Sequence, residues 1–431
     1  MAVISMRILS CLLLALTISA NAEETGCASS TQPSKNAELS EIIGDEKIVA
    51  KYPTLAAVLK EPDRFKLQII YTQIDRDKQN NAALSCYTLG LEPERYFYPA
   101  STVKLPISLL ALEWLNEPQQ KAITMFSPML TDTAFDGQSE AHVDISSASG
   151  LPSIAHYIKK ILLVSDNDAS NRLYELLGQD RLNDRLRQLG LNQALINHRL
   201  SIALTPAQNR QYNPIRFLGS GGAVALALPA RISQLEYVNI EQPKLGHGYM
   251  SDGVLIQQPM DFSIKNRLSL QDLDSIVKRV VFPQLFAINK QFQITEEQRA
   301  FILRYMSMLP GESEFPHYSK EEYPDNYSKF LMFGGGAQAL PANIRIFNKT
   351  GWAYGHLIDS AYIVDLANNV EFFLSAVIYT NQNDILNDDQ YETEQIGLPF
   401  LNELGNFIYQ HELSRAKNRT PDLSYLHRII N

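Results

Sequence analysis

Strand-like segments stand at both ends of the chain and helical patterns fill its middle, an arrangement that narrows the fold more than any other feature. Near the N-terminus, Phe65 to Ile74 and Ala82 to Leu89 are separated by the polar stretch Asp75 to Asn81, the pattern of two antiparallel strands joined by a turn. Near the C-terminus, Ile344 to Phe347, Ile358 to Asp365 and Val370 to Tyr379 are β-rich, and a helix follows over Ile396 to Glu412. The last two runs are linked through Ala367-Asn368-Asn369 as in a hairpin. Strands with an apolar face must bury it, so the two ends are expected to pair into one antiparallel sheet covered by helices. The middle then forms a separate all-helical lobe, the class is α+β, and a cleft lies between the lobes.

Val103 to Leu115 is apolar nearly all round, which marks a central, buried helix beginning just after Ser101 and Thr102. Helical patterns recur at Ile154 to Val164, Ala169 to Leu177 and Gln179 to Leu189, the last two punctuated by Gly178 and Gly190. From Leu191 to about Asp261, repeated Pro and Gly break any long element, and this stretch reads as an extended insertion. Helix periodicity returns at Ser269 to Phe282 and Thr295 to Met308, and the Tyr-rich stretch Pro310 to Phe330 is loop-like. The expected organisation is a leader over 23–38, one domain over 39–415 and a C-terminal tail over 416–431. Within the domain, an α/β lobe takes about 39–100 and 344–415, and a helical lobe with the insertion takes about 101–343.

Arg7 precedes the apolar run Ile8 to Ala20, and Ala20-Asn21-Ala22 supplies the small residues that a signal peptidase reads, so 1–22 is expected to be a signal peptide. The run falls short of the roughly 20 apolar residues that span a bilayer, so no stable membrane anchor is expected and the mature chain is exported, periplasmic or secreted. Cys27 and Cys86 would then share an oxidising compartment, where one disulfide can form. The chain has 431 residues and a formal charge of −9, and no run of Lys or Arg stands out, which disfavours nucleic acid as a partner. No cofactor is implied, because Gly334-Gly335-Gly336 lacks the Lys-Ser/Thr of a phosphate-cradling loop, and no Cys/His spacing suggests a metal.

Three short motifs carry the chemistry. Ser101-Thr102-Val103-Lys104 stands where an irregular segment enters the buried helix; positions three apart share a helix face, so Lys104 can reach the Ser101 hydroxyl and take its proton. The same spacing at Ser275/Lys278 and Ser414/Lys417 reads as exposed helix face. Ser165-Asp166-Asn167, between two helices, offers a hydroxyl and a carboxamide to one cavity, although each of the three residue types also caps helices. Lys349-Thr350-Gly351, at the end of the strand Ile344 to Phe347, can present a cation and a hydroxyl to a carboxylate, while Gly351 lets a substrate lie against the backbone. Each motif alone is weak; their order, each on the element its role requires, makes coincidence a poor explanation.

With these motifs the chain resembles the superfamily of class A β-lactamases and penicillin-binding proteins, serine acyl enzymes with an α/β lobe packed on a helical lobe. The closest local matches are Tyr98 to Pro106 and Val164 to Leu173; the resemblance runs from about Phe65 to Leu189 and from about Ile344 to Tyr379. It implies that Ser101 is the acylated nucleophile, Lys104 its proton partner, and Ser165 a relay to the leaving nitrogen. It further implies that Asn167 holds the substrate amide, that Lys349, Thr350 and Gly351 bind its carboxylate end, and that the backbone N–H groups of Ser101 and Trp352 form the oxyanion hole.

One departure stands out. The Glu-x-x-Leu-Asn loop that supplies the water-activating glutamate of class A enzymes is not found, and the first glutamate after Leu189, Glu236, has the wrong spacing. The expected activity is hydrolysis of a β-lactam or related amide through a Ser101 acyl enzyme, with a small-molecule β-lactam or cell-wall peptide as partner. The alternatives are a D-alanyl-D-alanine peptidase or esterase using the same residues, and a β-lactam or muropeptide binding protein that stays acylated.

Overall fold

The structure, a computed structural model, describes residues 39, 42, 43 and 51–430. The expected signal peptide, the leader and Cys27 lie outside the described residues. Cys86 is one half of a disulfide.

After helix α1 (Pro53–Lys60), strands β1 (Gln68–Arg76) and β2 (Ala82–Leu89) meet three C-terminal strands, β3 (Ile344–Ala353), β4 (His356–Asp365) and β5 (Val370–Tyr379). Together they form one five-stranded antiparallel sheet in the order β3-β4-β5-β1-β2. The two chain ends are joined through β1 and β5, where Ile70 faces Ser375 and Tyr71 faces Leu374. Side chains alternate across a pleated strand, and here both faces are apolar. Ile69, Tyr71, Leu357, Phe372 and Leu374 enter one core with Leu55 of α1 and with Leu401 and Leu404 of the C-terminal helix α8 (Leu398–Ser414). Ile70, Ile358, Tyr362 and Phe373 enter a second core on the opposite face. Burial on both faces explains why these strands read as near-continuous apolar runs.

The second core is organised by helix α2 (Lys104–Leu115), in which every residue except Glu113 is buried. Around it pack α3 (Ile154–Val164), α4 (Asn167–Leu177), α5 (Gln179–Gln188), α6 (Leu270–Val281) and α7 (Glu296–Ser307). The span from Leu191 to Asp261 departs from the expected irregular stretch. It holds short strands, among them Ile215–Leu218 and Val224–Leu228, which pair antiparallel with each other and with Met129–Thr131. Another, Gly248–Ser251, pairs in parallel with Ile385–Leu386 from the far end of the chain, so the insertion is tied to the sheet lobe. Strands of two to five residues are too short to show periodicity through the Pro and Gly that bound them.

Two further expectations need correction. The third motif does not follow a strand that ends at Phe347: β3 runs on through Ala353 with Lys349, Thr350 and Gly351 inside it. Ser275 and Lys278 do not lie on an exposed helix face. Lys278 is fully buried, its Nζ 2.6 Å from the Asp274 carboxylate, and Ser275 accepts from Arg279 Nε at 3.1 Å. Ser414 closes α8 on the surface, but Lys417 lies past the helix end with its Nζ 3.5 Å from the buried Glu412 carboxylate, so this pair does not share an exposed helix face either. The segment after Arg415 packs back onto the second core through Leu423 and Leu426. Among the described residues no helix is long and apolar enough to cross a membrane.

Candidate active site

A cleft of about 800 Å³ opens between the sheet lobe and the helical region, lined by Ser101, Ser165, Asn167, Thr350, Gly351 and Trp352 among others. The fold thus brings six of the residues singled out in the sequence to one wall-to-wall space, and Lys104 and Lys349 stand directly behind them.

Ser101 lies in a 3₁₀ turn (Ala100–Val103) that leads into α2. The turn is held by Thr102, whose Oγ1 donates to the Pro99 carbonyl at 2.7 Å, and Ala100 before the serine adopts φ +48°, a left-handed conformation that a non-glycine residue seldom takes. Gly351 explains how this turn meets the sheet. A Cβ at Gly351 would stand 2.7 Å from the Pro99 carbonyl oxygen and 2.9 Å from Thr102 Cγ2, so the glycine is required for strand and turn to touch. This is a packing role beside the substrate approach expected from sequence.

The second motif forms the turn between α3 and α4. Ser165 is the left-handed C-cap of α3 (φ +60°, ψ +38°), and Asp166 is the N-cap of α4, accepting from Ala169 N at 2.8 Å. Asp166 therefore does the capping, which leaves the side chains of Ser165 and Asn167 free for the cleft.

Two lysines converge on the Ser165 hydroxyl. Lys104 Nζ lies 3.2 Å from Ser165 Oγ, donates to Asn167 Oδ1 at 2.6 Å, and also contacts the Ser165 carbonyl. Lys349 Nζ donates to the same Ser165 Oγ at 2.9 Å and to the Thr350 carbonyl at 2.8 Å. The direct Lys104–Ser101 hydrogen bond expected from the spacing is not formed among the described residues; the amine is turned toward Ser165 and Asn167 instead. Burial is the largest cause pushing the Lys104 amine well below its usual value, and the nearby Lys349 cation adds to it. Burial also brings Lys349 down to about 7, against a raising effect from Asp359.

Behind the third motif is a buried polar network that gave no signal in the sequence. Lys329 donates to Asn348 Oδ1 at 2.6 Å and to the carbonyls of Met306 and Ile346. Asn348 in turn donates to Asp359 Oδ1 at 2.8 Å, and Asp359 Oδ2 accepts from the backbone of Phe330 and Leu331. Asp359 faces Thr350 across the β3–β4 ladder. Ser201 was missed as well: its Oγ accepts from Asn167 Nδ2 at 2.8 Å. It lies in the irregular stretch where nothing in the sequence marks it. Glu236 is exposed, paired with Arg210, and does not line the cleft. Trp352 is on the rim, 48% exposed, while His356 is wholly buried, its imidazole driven down to about 3 by desolvation.

Residues 52–239 match the β-lactamase enzyme family. The matched span carries Ser101, Lys104, Ser165 and Asn167, and Lys349, Thr350 and Gly351 lie beyond it. Among solved structures, the chain is similar to a β-lactamase from Desulfarculus baarsii at 14% identity and a TM-score of 0.43, covering 84% of this chain and 98% of that one. It is also similar to a class A β-lactamase from Clostridium kluyveri, at 13% identity and a TM-score of 0.45, covering 84% and 99%. A PBP-A mutant solved as an acyl-enzyme complex with penicillin G is similar at 15% identity and a TM-score of 0.45, covering 85% and 96%. No curated protein matches the chain.

Proposed function

We propose that the chain is an exported hydrolase that opens a β-lactam or a related D-alanine-like amide through an acyl enzyme on Ser101. The observation that carries this reading is the convergence of Lys104 and Lys349, both buried, on one serine hydroxyl at the edge of the Ser101 cleft. Burial lowers the Lys104 amine well below its usual value, which favours the neutral form that can accept a proton. In the proposed step Ser101 Oγ attacks the amide carbonyl carbon while its proton passes to Lys104 Nζ. The carbon–nitrogen bond then breaks, and the leaving nitrogen takes a proton from the Ser165 hydroxyl, which the lysines behind it resupply. Asn167 orients the substrate amide, Lys349, Thr350 and Gly351 receive the carboxylate end, and the backbone N–H groups of Ser101 and Trp352 face the developing oxyanion.

A second reading is favoured by a specific feature, persistence of the acyl enzyme. Asn167 is met by the Ser201 hydroxyl, and the only carboxylates lining the cleft among the described residues, Asp389 and Glu394, belong to the wall formed by the segment after β5. Among the described residues, no carboxylate is hydrogen-bonded to the side chains of Ser165, Asn167 or Lys104 from where it could activate water at the ester.

An intact-mass time course with a penicillin and a cephalosporin separates these readings. An adduct that forms and decays as product accumulates supports the hydrolase, and a lasting adduct supports the binding protein. No adduct with either reagent, where Ser101→Ala behaves identically, overturns acyl transfer to β-lactams.

A further inference from the structure

One wall of the cleft has a charge opposite to that of Lys349 at its floor. The floor is backed by the amines of Lys104 and Lys349, whereas the wall made by the segment between β5 and α8 contributes Asp389, Tyr391, Thr393 and Glu394. Asp389 and Glu394 are exposed, and neither pairs with a cation or accepts a hydrogen bond among the described residues. A second feature of the same wall points to a ligand. Thr393 is 2% exposed, lines the cleft, and has a hydroxyl with no hydrogen-bond partner, a group that ordinarily finds one when buried. Aromatic faces complete the wall, with Tyr391 and Tyr354 beside the half-exposed Trp352.

We propose that this wall is a cation subsite, and that the favoured substrate is an acyl donor carrying a free ammonium group as well as the carboxylate received by Lys349 and Thr350. The inference rests on the acyl-transfer reading above and names its substrate class. Asp389 and Glu394 attract the ammonium group, the Thr393 hydroxyl accepts one of its N–H donors, and the rings of Tyr391 and Trp352 offer faces that suit a cation. A zwitterion laid with its carboxylate on the lysine floor and its amine on the acidic wall matches both ends of the field, whereas a second anion at the wall is repelled.

The test uses two pairs of ligands, each differing in one amine. Ampicillin and benzylpenicillin form the β-lactam pair. A Lys-D-Ala-D-Ala peptide with its side-chain amine free or acetylated forms the peptide pair. Equilibrium binding to the Ser101→Ala protein is measured by calorimetry at low salt, and acylation of the wild-type protein by intact mass. The amine-bearing member of at least one pair is expected to bind roughly three- to tenfold more tightly, the range of exposed charge pairs acting together. The pair that shows the difference identifies the source as β-lactam or peptide. In the double variant Asp389→Asn/Glu394→Gln that ratio falls to about one. A ratio near one in both pairs, no measurable binding of any of the four, or a ratio that survives the double substitution overturns the subsite. Absence of acylation of the wild-type protein by all four breaks the acyl-transfer reading instead, and the binding ratio on Ser101→Ala still decides the subsite.

Discussion

The turn into α2 and helix α6 carry the same serine-to-lysine spacing, and both lysines are fully buried, yet they do different things. Lys278 has a carboxylate on its own helix, Asp274 at 2.6 Å, so its charge is neutralised where it stands. Among the described residues, Lys104 has only neutral oxygens within hydrogen-bonding reach, those of Ser165 and Asn167, with a second lysine nearby and the Asp166 carboxylate acting on it without a direct contact. Spacing sets which atoms share a helix face; the charge of what surrounds them decides whether a buried amine is one half of an ion pair or a base.

Substitutions can break or sharpen this contrast. The largest expected effect is at the serines: Ser101→Ala abolishes acylation by a penicillin, while Ser275→Ala leaves it intact, with intact mass as the readout. Next, Lys104→Met lowers the acylation rate by about 10²–10⁴-fold, the usual cost of losing a general base, and shifts the melting temperature less than the matching change in α6. The matching Lys278→Met acts on stability, costing roughly 3–5 kcal/mol because it strands the buried Asp274 carboxylate, as denaturant unfolding would show. If Lys278→Met unfolds no more easily than Lys104→Met, the contrast fails.

Gly351→Ala is expected to cost about 1–3 kcal/mol and to slow acylation, since its methyl group meets the Pro99 carbonyl and pushes the strand from the Ser101 turn. The smallest effect is in pH. Lys349, held at about 7, is charged below that value and neutral above it, so the affinity of the Ser101→Ala protein for a carboxylate-bearing penicillin falls by roughly tenfold between pH 6 and pH 8. Lys349→Arg, which stays charged, flattens that profile.

The paired ends of the sheet, the buried helix α2 and the three motifs were legible along the chain, because these are local patterns. Apolar strand runs bounded by turn residues, an all-round apolar helix, and fixed spacings within four residues need no knowledge of distant neighbours. Tertiary structure alone decided that Lys104 turns to Ser165 and Asn167 rather than to Ser101, that Asp166 caps α4 so that its neighbours are free, and that Ser201 meets Asn167. It alone assembled Lys329, Asn348 and Asp359 behind Lys349 and brought Asp389 and Glu394 to the wall of the Ser101 cleft. The physical reason is common to all of these: a buried group's charge and hydrogen-bond partners come from segments far away in the chain, and a one-dimensional pattern cannot show which of them the folded core will press together.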